Sequence, residues 1–200
     1  GDAGIGTGFI FFAAGSAGNP DSTDHFIANL DWNAAADRNL IAGHAQFNVA
    51  IIGPTTSATI QGDLIGTDIT GAALIGTAAT GILIDPNTPG TVIRGNVIGG
   101  AGQGILTGGI STPTPGSVIE GNWIGTDVSG EVHLGNTGNG ILARGQQLAI
   151  GGVGDGEGNV IAFNGGAGVW VDFATFGIDQ NSIRGNSIYG NGTANGAGGR

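Results

Sequence analysis

One short phrase, roughly Ile-x-Gly-Asn-x-Ile, returns six times along the chain. It reads "DRNLI" at 37–41, "IQGDLI" at 60–65, "IRGNVI" at 93–98, "IEGNWI" at 119–124, "GEGNVI" at 156–161 and "IRGNSI" at 183–188. Its fourth position gives a column of Asn39, Asp63, Asn96, Asn122, Asn159 and Asn186. Its last position is always isoleucine: Ile41, Ile65, Ile98, Ile124, Ile161 and Ile188. Self-similarity at 24 to 37 residues is the mark of a stacked architecture, in which each unit covers the apolar face of the next. A second phrase follows each of the first five: "NVAI" (48–51), "GILI" (81–84), "GILT" (104–107), "GILA" (140–143) and "GVWV" (168–171).

The unit is made of strands. Glycine supplies 44 residues, and each one inside a helix would cost about 1 kcal/mol, so a helical solenoid is excluded. Proline is only 6 and no Gly-X-Y period appears, which excludes collagen. Within 93–98 the two isoleucines stand five residues apart, an odd number, so a straight strand would point them to opposite faces. Both reach one core only if the chain turns between them, and Gly-Asn suits that corner because both tolerate positive φ. Strand, corner, strand and return make one coil of a parallel β-helix. We expect an all-β solenoid of about six coils, ~29 Å tall at ~4.8 Å per coil. Residues 37–200 form the repeats, and residues 1–36, with "GFIFFAAG", form an irregular first coil or an N-terminal cap. Asn39, Asn96, Asn122, Asn159 and Asn186 are expected to stack as a hydrogen-bonded ladder, as amides do in cross-β structures. Arg94 beside Glu120, and Glu157 beside Arg184, would be charge-complementary neighbours on the outer wall.

The run 121–171, with "IRGNSIYGNG" at 183–192, resembles the right-handed parallel β-helix repeats of large secreted bacterial surface proteins, which have the pectate-lyase-like fold. The resemblance covers residues 38–192. It implies a right-handed coil and an extracellular or cell-surface location, and it leaves activity open, because that fold carries lyases, hydrolases, adhesins and purely structural arrays.

The residues argue against catalysis. A β-eliminating lyase needs a Lys or Arg base beside a calcium-binding acidic cluster, and the chain contains no lysine. Arg94, Arg144 and Arg184 remain, two of them in a repeat column. A hydrolase needs convergent carboxylates, and the Asp residues are scattered along the chain. His25, His44 and His133 lack metal-ligand spacing. We therefore expect no catalytic residue and no cofactor, with calcium as the alternative. Asp68 and Asp127, in the twin phrases "GDLIGTDITG" (62–71) and "GNWIGTDVSG" (121–130), fit Asx turns, and with Asp155 and Glu157 they are the candidate calcium ligands.

Net charge is −10 and every basic residue is Arg, so nucleic acid is not an expected partner. No apolar run is long enough to span a bilayer, so no membrane insertion is expected. The chain has no cysteine, and it opens on Gly1 rather than Met, which suggests a processed product or an excised piece. "NGT" at 191–193 formally fits a glycosylation acceptor.

Two apolar columns should point outward. One is Ala50, Leu83, Leu106, Leu142 and Trp170; the other is Leu40, Leu64, Val97, Trp123 and Val160. Columns of this length are covered by something: loops folding back, another copy of the chain, or a ligand. A solenoid also ends in unpaired strands that invite addition. The expected role is thus a non-catalytic structural β-helix, a filament subunit, surface-layer element or adhesin stalk that self-associates through Leu83, Leu106, Leu142, Trp170 and Trp123. The alternative is a carbohydrate-binding or polysaccharide-degrading β-helix that stacks sugars on its tryptophans.

Overall fold

The structure is a computed structural model that describes residues 38–52, 57–85, 88–108, 114–172 and 180–192. The expected N-terminal cap at 1–36 lies outside the described residues, as do His25 and the end of the "NGT" phrase. Among the described residues every regular element is a strand, and none is a helix.

The strands form three parallel sheets. Sheet A contains Leu40–Ile41, Leu64–Ile65, Val97–Ile98, Trp123–Ile124, Val160–Ala162 and Ser187–Tyr189. Sheet B contains Phe47–Ile51, Thr80–Ile84, Gln103–Thr107, Ile141–Ala143 and Val169–Val171. Sheet C contains Thr59–Gln61, Val92–Arg94, Val118–Glu120, Ala149–Gly151 and Ser182–Arg184. A small fourth pairing joins Thr114–Pro115 to Gly145–Gln146. The chain visits A, B and C in that constant order, so each strand pairs with its counterpart one circuit away. This arrangement is compatible with a parallel β-helix.

Register follows the sequence columns. In sheet A, Ile41 pairs with Ile65, Ile65 with Ile98, Ile98 with Ile124, Ile124 with Ile161 and Ile161 with Ile188. In sheet C the inward column is Ile60, Ile93, Ile119, Ile150 and Ile183. Sheet B contributes Val49, Ile82, Ile105, Ile141 and Val169. The three columns meet in one continuous core, where most of these side chains are fully excluded from solvent. Each buried isoleucine is worth about 1.5–3 kcal/mol of transfer free energy, and stacking like on like lets one packing solution repeat.

Between sheets C and A the corner is made by glycine in the left-handed region, as at Gly95 (φ 66°) and Gly121 (φ 63°). The following Asn keeps ordinary negative φ; its contribution is the side chain, which turns inward and bonds to the neighbouring rungs. One register expectation is corrected. In the fifth circuit the strand of sheet C is Ala149–Gly151, so Gly151, and not Glu157, stands beside Arg184. Residues 152–158 loop out ahead of Asn159, and Glu157 turns its carboxylate back to accept the Gly154 amide at 2.7 Å. The other expected pair does stand in register, with Arg94 beside Glu120, while Arg94 Nε donates to Gln61 Oε1 at 2.5 Å.

Candidate functional site

The two outward apolar columns have different fates. Leu64, Val97, Trp123 and Val160 stand in register on sheet A. Leu64 and Val97 are nonetheless buried, and with Leu134 they make a second apolar cluster against which Trp123 packs. The cover comes from the twin "GTD" phrases. After sheet A in two of the circuits the chain leaves the wall, makes a tight turn and returns, closing antiparallel bridges Thr67–Leu74 and Thr126–His133. These excursions lie over the sheet A column: a Cβ placed on Gly71 would sit 3.0 Å from Leu64 Cδ2.

The second excursion is also anchored at its tip. His133 stacks on Phe163 with ring centroids 3.7 Å apart, and Phe163 meets Tyr189 edge-on at 5.6 Å. The Tyr189 hydroxyl donates to the Gly130 carbonyl at 2.6 Å. Phe163 holds its ring there from a left-handed backbone (φ 61°), a conformation that costs a non-glycine residue about 1–2 kcal/mol.

Asp68 and Asp127 organise the turns themselves. Asp68 Oδ1 accepts the Thr70 hydroxyl at 2.7 Å and the amides of Ala72 and Ala73 at 3.1 and 3.2 Å. Asp127 Oδ1 accepts the Ser129 hydroxyl at 2.7 Å and the amides of Glu131 and Val132 at 3.3 and 3.2 Å. The Thr70 hydroxyl chiefly holds the Asp68 carboxyl below the usual range. For Asp127, burial pushes upward, but Ser129, Val132 and Glu131 together outweigh it and the carboxyl is also held low. Asp155 and Glu157 lie on the 152–158 loop, in a different circuit from either turn, with Asp155 exposed. Among the described residues, no three His, Cys, Asp or Glu side chains come together in a group that could hold a metal ion.

On sheet B, Ala50, Leu83, Leu106, Leu142 and Trp170 pair in register. Leu83, Leu106 and Leu142 are half-buried, and Trp170 is 54 % exposed. The two tryptophans are therefore on different sheets: Trp123, half-buried, packs against Leu64, Val97 and Leu134, and Trp170 is exposed. Beside Trp170, Arg144 Nε bonds Asp172 Oδ2 at 2.9 Å, tying adjacent circuits at the edge of the same wall.

The asparagine ladder runs through the corner between sheets C and A. Backbone and side-chain amides of Asn39 donate to Asp63 Oδ1, those of Asn96 to Asn122 Oδ1, those of Asn122 to Asn159 Oδ1, and those of Asn159 to Asn186 Oδ1. A second ladder, unforeseen in the sequence, runs through the corner between sheets A and B. Asn136 donates to Asn164 Oδ1, and Asn164 to Asn191 Oδ1, each through backbone N–H and Nδ2. Its trace in the sequence is an Asn three residues after the sheet A isoleucine, at Ile161…Asn164 and Ile188…Asn191.

The sheet B wall thus presents a line of apolar side chains with Trp170 exposed at its end. Arg144 is engaged by Asp172 and Arg94 by Gln61, and the turn carboxylates are directed at their own backbone. Compared with protein-family models, curated proteins and solved structures, the chain matches none.

Proposed function

We propose that the chain is a right-handed parallel β-helix of about six coils, of pectate-lyase-like kind, serving as non-catalytic structural material outside the cell: a filament subunit, surface-layer element or adhesin stalk. The observation that carries this reading is the contrast between the two outer columns. The chain spends two excursions over sheet A, burying Leu64 and Val97, and leaves Leu83, Leu106 and Leu142 half-buried and Trp170 exposed in an unbroken line on sheet B. A rigid wall with one apolar stripe is suited to packing against a like wall.

Sedimentation and electron microscopy across a concentration series test this. The expected result is ordered assembly that grows with concentration and is lost in a Leu106→Ser/Trp170→Ser double variant that keeps the parent's strand spectrum. A chain that stays monomeric at every concentration removes the reading.

The exposure of Trp170 favours one second reading, a carbohydrate platform, since an open indole face can stack on a sugar ring. Under that reading the monomer is depleted from solution by an insoluble polysaccharide, and Trp170→Ser alone abolishes the depletion.

A further inference from the structure

The ladder between sheets C and A contains one residue that does not match the others. Asn96, Asn122 and Asn159 each accept on Oδ1 from the rung before and donate the backbone N–H and one Nδ2 hydrogen to the rung after. Asp63 keeps the first half of the pattern, taking Asn39 N and Asn39 Nδ2 on Oδ1 at 3.1 and 2.8 Å. Its backbone N–H also donates to Asn96 Oδ1 at 2.9 Å, as the other rungs do. These three bonds fix the carboxyl in the common orientation, so Oδ2 takes the place that Nδ2 fills in Asn96, Asn122 and Asn159. In those residues that atom donates to the next Oδ1 at 2.9, 2.9 and 2.8 Å.

An ionised Asp63 has nothing to donate. Its Oδ2 and Asn96 Oδ1, both acceptors, then face each other at a rung where Asp63 is 3 % exposed and Asn96 fully buried. Turning the Asn96 amide over does not repair this. It would strip the Asp63 N–H of its acceptor and set Asn96 Oδ1 against Asn122 Oδ1 and the Ile60 carbonyl, which Asn96 Nδ2 now serves.

We propose that Asp63 is a proton-completed rung: protonated on Oδ2 it donates to Asn96 Oδ1 and the ladder is continuous, and ionised it opens a break between the first two coils and the third. The surroundings favour the proton. Asn39 and Asn96, the rungs on either side, are neutral. Of the charged side chains on the adjoining segments, Arg38 is exposed, Arg94 is exposed with its Nε on Gln61 Oε1, and Asp68 is bonded to its own turn. Burial accordingly pushes the Asp63 carboxyl up, outweighing the opposing pull of the Asn39 hydrogen bonds and of the Gln61 backbone amide. The sign follows. A carboxyl whose folded pKa lies above the unfolded value of about 3.9 binds its proton more tightly in the folded state, so its contribution is greatest at acid pH and declines as pH rises through that window. The solenoid is built to tighten on acidification at this rung.

Asp63→Asn supplies the missing donor at every pH. The expected result is a variant that melts higher than the parent at pH 8, with a difference that is level at high pH and shrinks once pH falls below the folded pKa towards the unfolded value of about 3.9. A difference that is constant from pH 4 to 8, or a variant that melts lower at pH 8, overturns the proposal. Asn122→Asp should introduce a dependence of the same sign in mid-ladder. The parent itself gives a direct reading: an Asp63 carboxyl carbon that titrates at or below about 3.9 overturns the proposal, and one that titrates above it supports it.

Discussion

Tyr189 reaches across 59 residues of chain to donate its hydroxyl to the carbonyl of Gly130, at 2.6 Å. The bond passes over the strand Val160–Ala162 and ties the last strand of sheet A to the tip of an excursion that left the wall two circuits earlier. Tyr189→Phe removes the bond and keeps the ring against Phe163. Because the Gly130 carbonyl can turn to water, the loss is that of an ordinary hydrogen bond, about 0.5–1.5 kcal/mol. The expected outcome is a small fall in melting temperature with faster hydrogen exchange at the Glu131 and Val132 amides, while core amides such as Ile124 are unchanged.

Phe163 should invert a familiar ranking. Alanine is normally the better replacement, since glycine loses more backbone entropy on folding. At φ 61° the Cβ itself is the source of strain, so Phe163→Ala loses the aromatic contacts and keeps the strain, and Phe163→Gly loses the same contacts and releases it. Urea unfolding should place the glycine variant above the alanine variant by about 1 kcal/mol. Equal midpoints, or alanine above glycine, would show that the ring contacts carry no backbone cost.

Gly104 is required for a different reason. It has no positive φ, but a Cβ there would lie 2.5 Å from the Gly140 carbonyl oxygen, 2.8 Å from Asn136 Nδ2 and 3.0 Å from Ile124 Cγ2. Neither the carbonyl, which is backbone, nor the buried isoleucine can move away. At Gly116 a Cβ meets nothing within 4 Å, and only its φ of 65° opposes substitution. Gly104→Ala is therefore expected to cost about 3 kcal/mol or more, by overpacking. Gly116→Ala should cost about 1 kcal/mol, by backbone strain. Chemical denaturation of the two variants side by side checks the difference.

Much of this architecture can be read before any coordinates, and the reason is specific to parallel stacking. When each strand pairs with its own counterpart one circuit on, a structural column becomes a sequence column, and Ile41 through Ile188 can be read as one. The reading fails where a circuit carries an insertion. The excursion between Ile124 and Asn136 separates two residues that stand three apart at Ile161 and Asn164, which hides the second ladder. The 152–158 loop ends in Gly-Glu-Gly directly ahead of the true rung Asn159, so Glu157 stands at the spacing of a column that Gly151 occupies. Nor could the sequence say which outer column was covered. That depended on where Leu134 lands after its turn, a tertiary contact without a period.

Acid should loosen the two excursions first, with a sign opposite to that at Asp63. Asp68 and Asp127 each accept one hydroxyl and two amide hydrogens, and both carboxyls are held below their ordinary range, Asp68 chiefly by Thr70 and Asp127 by Ser129, Val132 and Glu131 against the upward push of burial. A carboxyl with a depressed folded pKa contributes stability that is present above the unfolded value of about 3.9 and is lost as pH falls through the folded value. Protonation removes the charge assistance from the three bonds that shape each turn, so the turn opens while the isoleucine core, which holds no charge, stays closed. Hydrogen exchange followed from pH 6 down to 2, corrected for intrinsic rates, should show protection falling at Ala72, Ala73, Glu131 and Val132 before it falls at Ile98 or Ile124. Replacing both aspartates by Asn should leave those four amides insensitive to pH over the same range. Simultaneous loss of protection in turns and core would mean that the excursions are no separate unit and that acid acts on the column as a whole.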